Sequence, residues 1–231
     1  MKKSLNWIDL GLISYSEAFA IQEKIHAKCV DQSWPDTLLF QENYPIVTLG
    51  RGTHEKNLLC TPDDLNLMGI ALTTVSRGGD ISYHGNGQLI TSPILHFDHY
   101  VKGAHQYVRC LEQVVINLLA HYHIKGTRSK GQSGVWVVEP RSGEDKKIAA
   151  LGIAVSHGVT LHGIAINVNP NLQHFKTIIP CGIDDKGVTS MVACGCPAIA
   201  LSDLRDQFIL AFNDMFGTHS RQSSIAEMEL T

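Results

Sequence analysis

Apolar residues recur at helical spacing in three segments and in short extended runs between them. Ser14-Tyr15-Ser16-Glu17 has the spacing of a capping box, and Ala18, Ile21, Ile25 and Cys29 follow at helical intervals, which predicts a helix from Tyr15 to Val30. Val108, Leu111, Val115, Leu118 and Leu119 share one face of a second helix. Ser202 as N-cap, Asp203 in the first turn, Leu204, Phe208, Ala211, Phe212 and Met215 on one stripe, and Gly217 as stop define a third.

The extended runs are Thr37 to Gln41 and Ile46 to Leu49, divided by the turn Asn43-Tyr44-Pro45, and Gln88 to Leu95. Ala71 to Ser76, Arg77-Gly78-Gly79-Asp80 and Ile81 to Tyr83 read as strand, glycine turn and strand. Arg141 to Lys147 reads as a polar loop. After it, Ile148 to Val155 and Val159 to Val168 form a hairpin about Ser156-His157-Gly158. A two-residue His157-Gly158 loop sets Lys147 opposite Val168, near where the chain leaves toward Cys181. Strands and helices do not alternate regularly, so the class expected is α+β, a mixed β-sheet with flanking helices. No repeat or linker divides the chain. One domain over residues 1–219 is expected, with a polar tail over 220–231 that frays.

With 231 residues, 44% hydrophobic and 18% charged, the chain can bury a substantial core. A formal charge of −3 without long runs of one sign gives no support to nucleic-acid binding or a polybasic membrane patch. Lys125, Arg128 and Lys130 form one local basic patch, a candidate for meeting acidic partners. Neither an apolar leader after Lys2-Lys3 nor a membrane-length apolar run is present, and the 6 cysteines are too dilute for a disulfide scaffold. A cytoplasmic protein with reduced thiols is expected.

Pro180-Cys181-Gly182 sets a thiol between a φ-locked residue and a permissive one. Cys181 is either an inert core thiol, the common fate of cysteine, or a nucleophile, which requires a nearby cation to lower its pKa. Lys147 is the candidate cation; its plainer reading is a lysine whose stem packs at a strand end beside a solvated loop. The glycine-rich stretch Arg77 to Gln88 either lets a ligand approach the backbone or is a hairpin with a bulge. The phosphate loop G-x-x-x-x-G-K-[ST], a helix-opening G-x-G-x-x-G, H-E-x-x-H, C-x-x-C and G-x-S-x-G are all absent. Despite 12 histidines and the close pairs His121/His123 and Cys194/Cys196, no metal is expected.

Arg77-Gly78-Gly79 through Tyr83-His84-Gly85 to Gly87-Gln88, Ser133 to Val137, Lys147 to Ile153, Leu161 to Asn167, and Ile179-Pro180-Cys181-Gly182-Ile183 with Val188-Thr189-Ser190 together resemble the lipoyl(octanoyl) transferases of lipoate biosynthesis. Five motifs in one order span most of residues 5–215. The resemblance implies the fold of biotin and lipoate protein ligases, and a cytoplasmic enzyme moving octanoyl from acyl carrier protein to a lysine of lipoyl domains, those of 2-oxoacid dehydrogenase complexes and the glycine cleavage H protein. It implies that Cys181 carries the acyl group as a thioester and that Lys147 lowers its pKa. It assigns acyl binding to Arg77, Gly78, Gly79, Asp80, Ile81, Ser82, Tyr83 and His84, to Ala150, Leu151 and Gly152, and to Gly163, Ile164 and Ala165.

A thioester donor already carries the free energy of the amide to be formed, so no cofactor is expected. The chain departs from the family pattern at Asn43, where Glu-His-Pro is usual, and at Asn86, where His-Gly-Pro-Gly-Gln is usual. An imidazole exchanges protons near neutral pH and an amide does not, which turns attention to His84 and His162. Two other readings are an ATP-dependent lipoate or biotin ligase and a non-catalytic binder of acyl carrier or lipoyl domains.

Overall fold

The computed structural model describes residues 3–139, 143–180 and 186–230. Strand β1 (Lys3–Ile13) opens the fold and was not announced by the hydrophobic pattern, because its buried positions do not alternate. Helix α1 (Tyr15–Val30) matches the expected bounds, and the Ser14 side chain accepts the Glu17 N–H. Then come β2 (Thr37–Asn43), β3 (Ile46–Leu49), the short α2 (Pro62–Leu67), β4 (Ala71–Thr74), β5 (Ile81–His84) and β6 (Gln88–Ile94). Helix α3 (Ala104–His121) leads to β7 (Val135–Val138), β8 (Asp145–Ser156), β9 (Val159–Asn167) and β10 (Gly187–Val188). Helix α4 (Leu201–Phe216), β11 (Thr218–Gln222) and α5 (Ile225–Glu229) follow.

The main sheet runs β10-β8-β9-β6-β2-β1-β11, with β7 also on β8. It is mixed as expected: β1 pairs in parallel with β2 and β11, while β2, β6, β9 and β8 pair antiparallel in turn. In β2, Leu38 and Phe40 join the core beneath α3 and α4, and Leu39 joins the second core beneath α1 and α5. All three are fully buried, which explains why this strand is an unbroken apolar run instead of an alternating one. Fully burying each such side chain contributes about 1.5–3 kcal/mol.

The predicted hairpin register holds from Ala149 opposite Ile166 to Ser156 opposite Val159, and His157 and Gly158 both adopt positive φ, as a two-residue turn of this twist requires. Four expectations are corrected. First, β4 and β5 do not pair with each other. They flank β3 in a separate sheet, β4-β3-β5, so Arg77 to Asp80 is a crossover, and the sheet closes a satellite core of Val47, Leu65, Ile70, Ile81, Tyr83 and Ile178. Second, β8 begins at Asp145, inside the expected loop, because Lys146 and Lys147 pair on both sides, with Val137 and Trp136 in β7 and with Gly187 and Val188 in β10. Arg141 and Ser142 of that loop lie outside the described residues.

Third, the N-cap of α4 is Ala200 and not Ser202: its carbonyl already accepts from Asp203 and Leu204 N–H, while Gly217, at φ 65°, ends the helix as expected. Fourth, the segment after His219 is not a featureless tail: it carries regular structure as far as Glu229. β11 covers the open edge of β1, and α5, with a Ser224–Glu227 capping box, buries Met228. No helix among the described residues is long and apolar enough to cross a membrane.

Candidate active site

The main sheet, α1 and β5 line a narrow cleft. From β8 come Ala150, Leu151 and Gly152, and from β9 Gly163, Ile164 and Ala165; Ser82 and His84 of β5 and Arg77 of the β4–β5 crossover close it. These nine belong to the acyl-binding set expected from the sequence. Gly152 and Gly163 are register partners. A Cβ on Gly163 would lie 2.2 Å from the Thr91 carbonyl oxygen, and one on Gly152 would lie 3.2 Å from Arg77 Cδ. Glycine is therefore required at 163 for the β6–β9 contact and keeps a side chain off the floor at 152.

Gly78, Gly79, Asp80, Ile81 and Tyr83 do not line this cleft. The alternation of β5 explains two of them: Ser82 and His84 face the cleft, while Ile81 and Tyr83 enter the satellite core. Asp80 accepts from the backbone N–H of Ile81 and His54 and from the Asn57 amide, which pins the neighbouring turn. The Gly79 carbonyl accepts from Gly52 N–H. The Tyr83 hydroxyl meets His174 Nδ1 at 2.8 Å.

Tyr15, Gln22, Gln41, Ile90 and Ser92 also line the cleft and escaped the sequence reading. One signal was present: Gln22 stands on the same helical stripe as Ala18, Ile25 and Cys29 and is buried like them. A polar side chain in an apolar stripe needs partners, and Gln22 finds them on two strands at once. It donates to Ser92 Oγ at 3.0 Å and accepts the His162 N–H at 2.6 Å. His162 itself sits at φ 60° within β9, its ring stacked on Phe19 at 5.3 Å and its Nε2 3.2 Å from Ser76 Oγ.

Arg77 is nearly buried; its Nη2 donates to the Thr48 carbonyl and hydroxyl at 3.0 and 2.9 Å. Burial first, then the Arg77 charge and His162, push His84 down to about 3; burial, Arg77 and Arg51 push His162 down to about 4. Both imidazoles are neutral at pH 7. Burial raises Tyr15 to about 12, so it remains a phenol. The Tyr15 hydroxyl, Gln41 Oε1 and His84 Nδ1 are buried without a hydrogen-bond partner among the described residues, and all three border the cleft. Three unsatisfied polar atoms around one cleft are what a ligand-binding site leaves exposed to its ligand. Asn43 is also in the wall, fully buried, and its Oδ1 accepts from Gln41 Nε2 at 3.1 Å.

Lys147 lies three residues before Ala150 on β8, about 10 Å along the strand, and is 5% exposed. Its Nζ lies 4.7 Å from the centre of the Trp136 ring. Its backbone pairs with Val188, and its carbonyl accepts the Thr189 N–H at 2.9 Å. Cys181 lies outside the described residues. The chain on its near side is held as far as Ile179, whose N–H meets the Asn57 carbonyl at 2.8 Å. Of the expected basic patch, Arg128 is committed elsewhere: its guanidinium binds the fully buried Glu112 at 3.0 Å and Gln113 at 2.8 Å.

The sequence model of the family described as lipoyl protein ligase A/B catalytic domain matches residues 14–213. The chain belongs to this family. Similar proteins named octanoyltransferase include one from Parabacteroides distasonis, 36% identical over 91% of this chain and 99% of its own length, and one from Caldicellulosiruptor saccharolyticus, 39% identical over 97% and 94%. A third, from Porphyromonas gingivalis, is 41% identical over 82% of this chain, which spans only 40% of that longer protein. Among solved structures, a bipartite lipoate protein ligase from Thermoplasma acidophilum superposes with a TM-score of 0.75 at 17% identity, covering 99% of this chain and 89% of that one. A biotin protein ligase from Aquifex aeolicus gives 0.51 at 15% identity, covering 94% and 70%. The fold expected from the sequence, that of lipoate and biotin protein ligases, is the fold observed.

Proposed function

We propose that the protein is an octanoyltransferase, taking octanoyl from octanoyl-acyl carrier protein and delivering it to a lysine of lipoyl domains, through a thioester on Cys181. The observation that carries this reading is the single cleft formed by Arg77, Ser82 and His84, Ala150 to Gly152 and Gly163 to Ala165, in a chain whose family relatives are named for octanoyl transfer. Apolar Leu151, Ile164 and Ile90 suit an alkyl chain, and the unsatisfied Tyr15, Gln41 and His84 atoms suit its polar end.

In the first step the Cys181 thiol passes its proton to Lys147, the thiolate attacks the donor thioester carbonyl, and the carbon–sulfur bond to the carrier breaks; the carrier thiolate leaves, taking that proton from Lys147, and the acyl-enzyme forms. In the second, the neutral lysine amine attacks that thioester, an amide forms, and the proton released by the amine returns to the Cys181 sulfur or to Lys147. Lys147 is assigned as the cation that favours the thiolate. Support comes from the backbone on the far side of Cys181, where Val188 is the register partner of Lys147. Two separate half-reactions mean that the two carrier proteins need not be bound together. The acceptors proposed are the lipoyl domains of 2-oxoacid dehydrogenase complexes and the glycine cleavage H protein, and the site of action the cytoplasm.

The test is intact mass after incubation with octanoyl-acyl carrier protein, for wild type, Cys181→Ser and Lys147→Ala. An octanoyl adduct labile to hydroxylamine and absent from Cys181→Ser is expected, with slowed formation in Lys147→Ala. Transfer that survives in Cys181→Ser, or that needs ATP and free octanoate, would overturn the acyl-enzyme route.

A further inference from the structure

We propose that Asp36, His96 and His99 form a binding site for one late first-row divalent cation, of which Zn²⁺ is the best matched, remote from the acyl cleft. One ligand atom from each residue can be chosen so that all lie within 4.8 Å of one another. The three side chains line one open surface depression together with Cys29, Trp34 and Pro35, where a water or small anion can complete an ion's shell. Two imidazoles and one carboxylate are the donor set that suits Zn²⁺, Ni²⁺ and Cu²⁺ over the oxygen-seeking Mg²⁺ and Ca²⁺.

One edge of a coordination shell is already in place. His96 Nδ1 and Asp36 Oδ1 are 3.1 Å apart, a hydrogen-bond distance and also about the N···O edge of a tetrahedron with bonds of roughly 2.0–2.1 Å. Proton and cation therefore compete for one gap. Tetrahedral donors at such bond lengths stand about 3.3–3.4 Å apart, so the three atoms, which lie within 4.8 Å of one another, must draw together around an ion. The His99 ring stacks on His96 at 4.9 Å and 21°, which keeps the two imidazoles side by side.

The supporting contacts are those a bound metal uses. The Tyr100 hydroxyl donates to Asp36 Oδ2 at 2.7 Å, and the His96 N–H donates to Asp36 Oδ1 at 3.1 Å, so the carboxylate is held before any ion arrives. Lys3 Nζ is drawn to the His99 carbonyl at 2.9 Å, which anchors the backbone of the third ligand. Asp36 precedes β2, and His96 and His99 follow β6, so an ion would clip the adjacent ends of two core strands. Asp36 stands 60 positions before His96, so although His96 and His99 are only three residues apart, nothing local in the sequence brings the carboxylate to them.

The experiment is titration of the chelator-treated full chain with Co²⁺, read by visible absorption, followed by displacement with Zn²⁺ and thermal melting. One equivalent of Co²⁺, a spectrum without a sulfur-to-cobalt charge-transfer band, and a melting temperature raised by Zn²⁺ are expected. His99→Ala, which changes an exposed side chain, and His96→Gln should each weaken Co²⁺ binding at least about tenfold while His99→Ala leaves metal-free melting unchanged. Absence of saturable binding, unchanged affinity in both variants, or a charge-transfer band reporting thiolate ligation would each overturn the site.

Discussion

The ammonium of Lys147 lies 4.7 Å above the indole of Trp136, and Lys186 brings a second ammonium to 4.9 Å from the same ring. Lys186 is itself held by Ser129 Oγ at 2.7 Å and Asp145 at 3.2 Å. Trp136 is 1% exposed, so it serves at once as core and as the surface on which two cations rest. Trp136→Leu should therefore cost about 2–4 kcal/mol of stability by urea denaturation and slow acyl transfer. Trp136→Phe, which keeps a ring, should lose less of both.

Arg77 couples the cleft to its two neutral imidazoles. In Arg77→Met the Thr48 carbonyl and hydroxyl lose their buried donor, and a loss of about 2–4 kcal/mol is expected in urea denaturation. The same variant removes a charge that lowers His84 and His162, so both should titrate at higher pH than in wild type, read by NMR of the ring protons. Unchanged titration would refute the coupling.

Gly163→Ala tests the close approach of β9 to β6. The added methyl would meet the Thr91 carbonyl at 2.2 Å and Pro93 Cδ at 2.8 Å, and backbone cannot yield as a flexible side chain does. Destabilisation of about 1–3 kcal/mol, with weakened amide-exchange protection along β6 and β9, is the expected result.

Acid should destabilise the fold through His162 and His84. Both are held neutral in the folded protein, at about 4 and about 3, against an unfolded value of 6.5. Below pH 6.5 the unfolded chain binds protons that the folded chain refuses, so this stability is complete above pH 6.5 and is lost as pH falls toward 4 and then 3. His162→Asn, which tolerates the positive φ, should flatten the dependence of melting temperature on pH between 6.5 and 4.

Part of the site was readable because strong local rules carry it. The hairpin turn at His157-Gly158 fixes the β8–β9 register, and that register brings Ala150 to Gly152 opposite Gly163 to Ala165. Period-two alternation in β5 already separates Ser82 and His84 from Ile81 and Tyr83, although the motif as a block obscured it. Tyr15 and Gln41 could not be found this way: they reach the cleft from α1 and β2, and no local pattern relates those elements to β9.

From the sequence alone came the local elements and the family motifs: α1 with its Ser14 cap, the end of α4 at Gly217 and the β8–β9 hairpin. These depend on contacts a few residues apart, where spacing and φ preference decide. Only the tertiary structure placed β3 between β4 and β5, began β8 at Asp145, and recruited β11 to cover β1. Those choices satisfy backbone hydrogen bonds across long chain separations, and side-chain polarity along the strand carries no information about which partner will supply them.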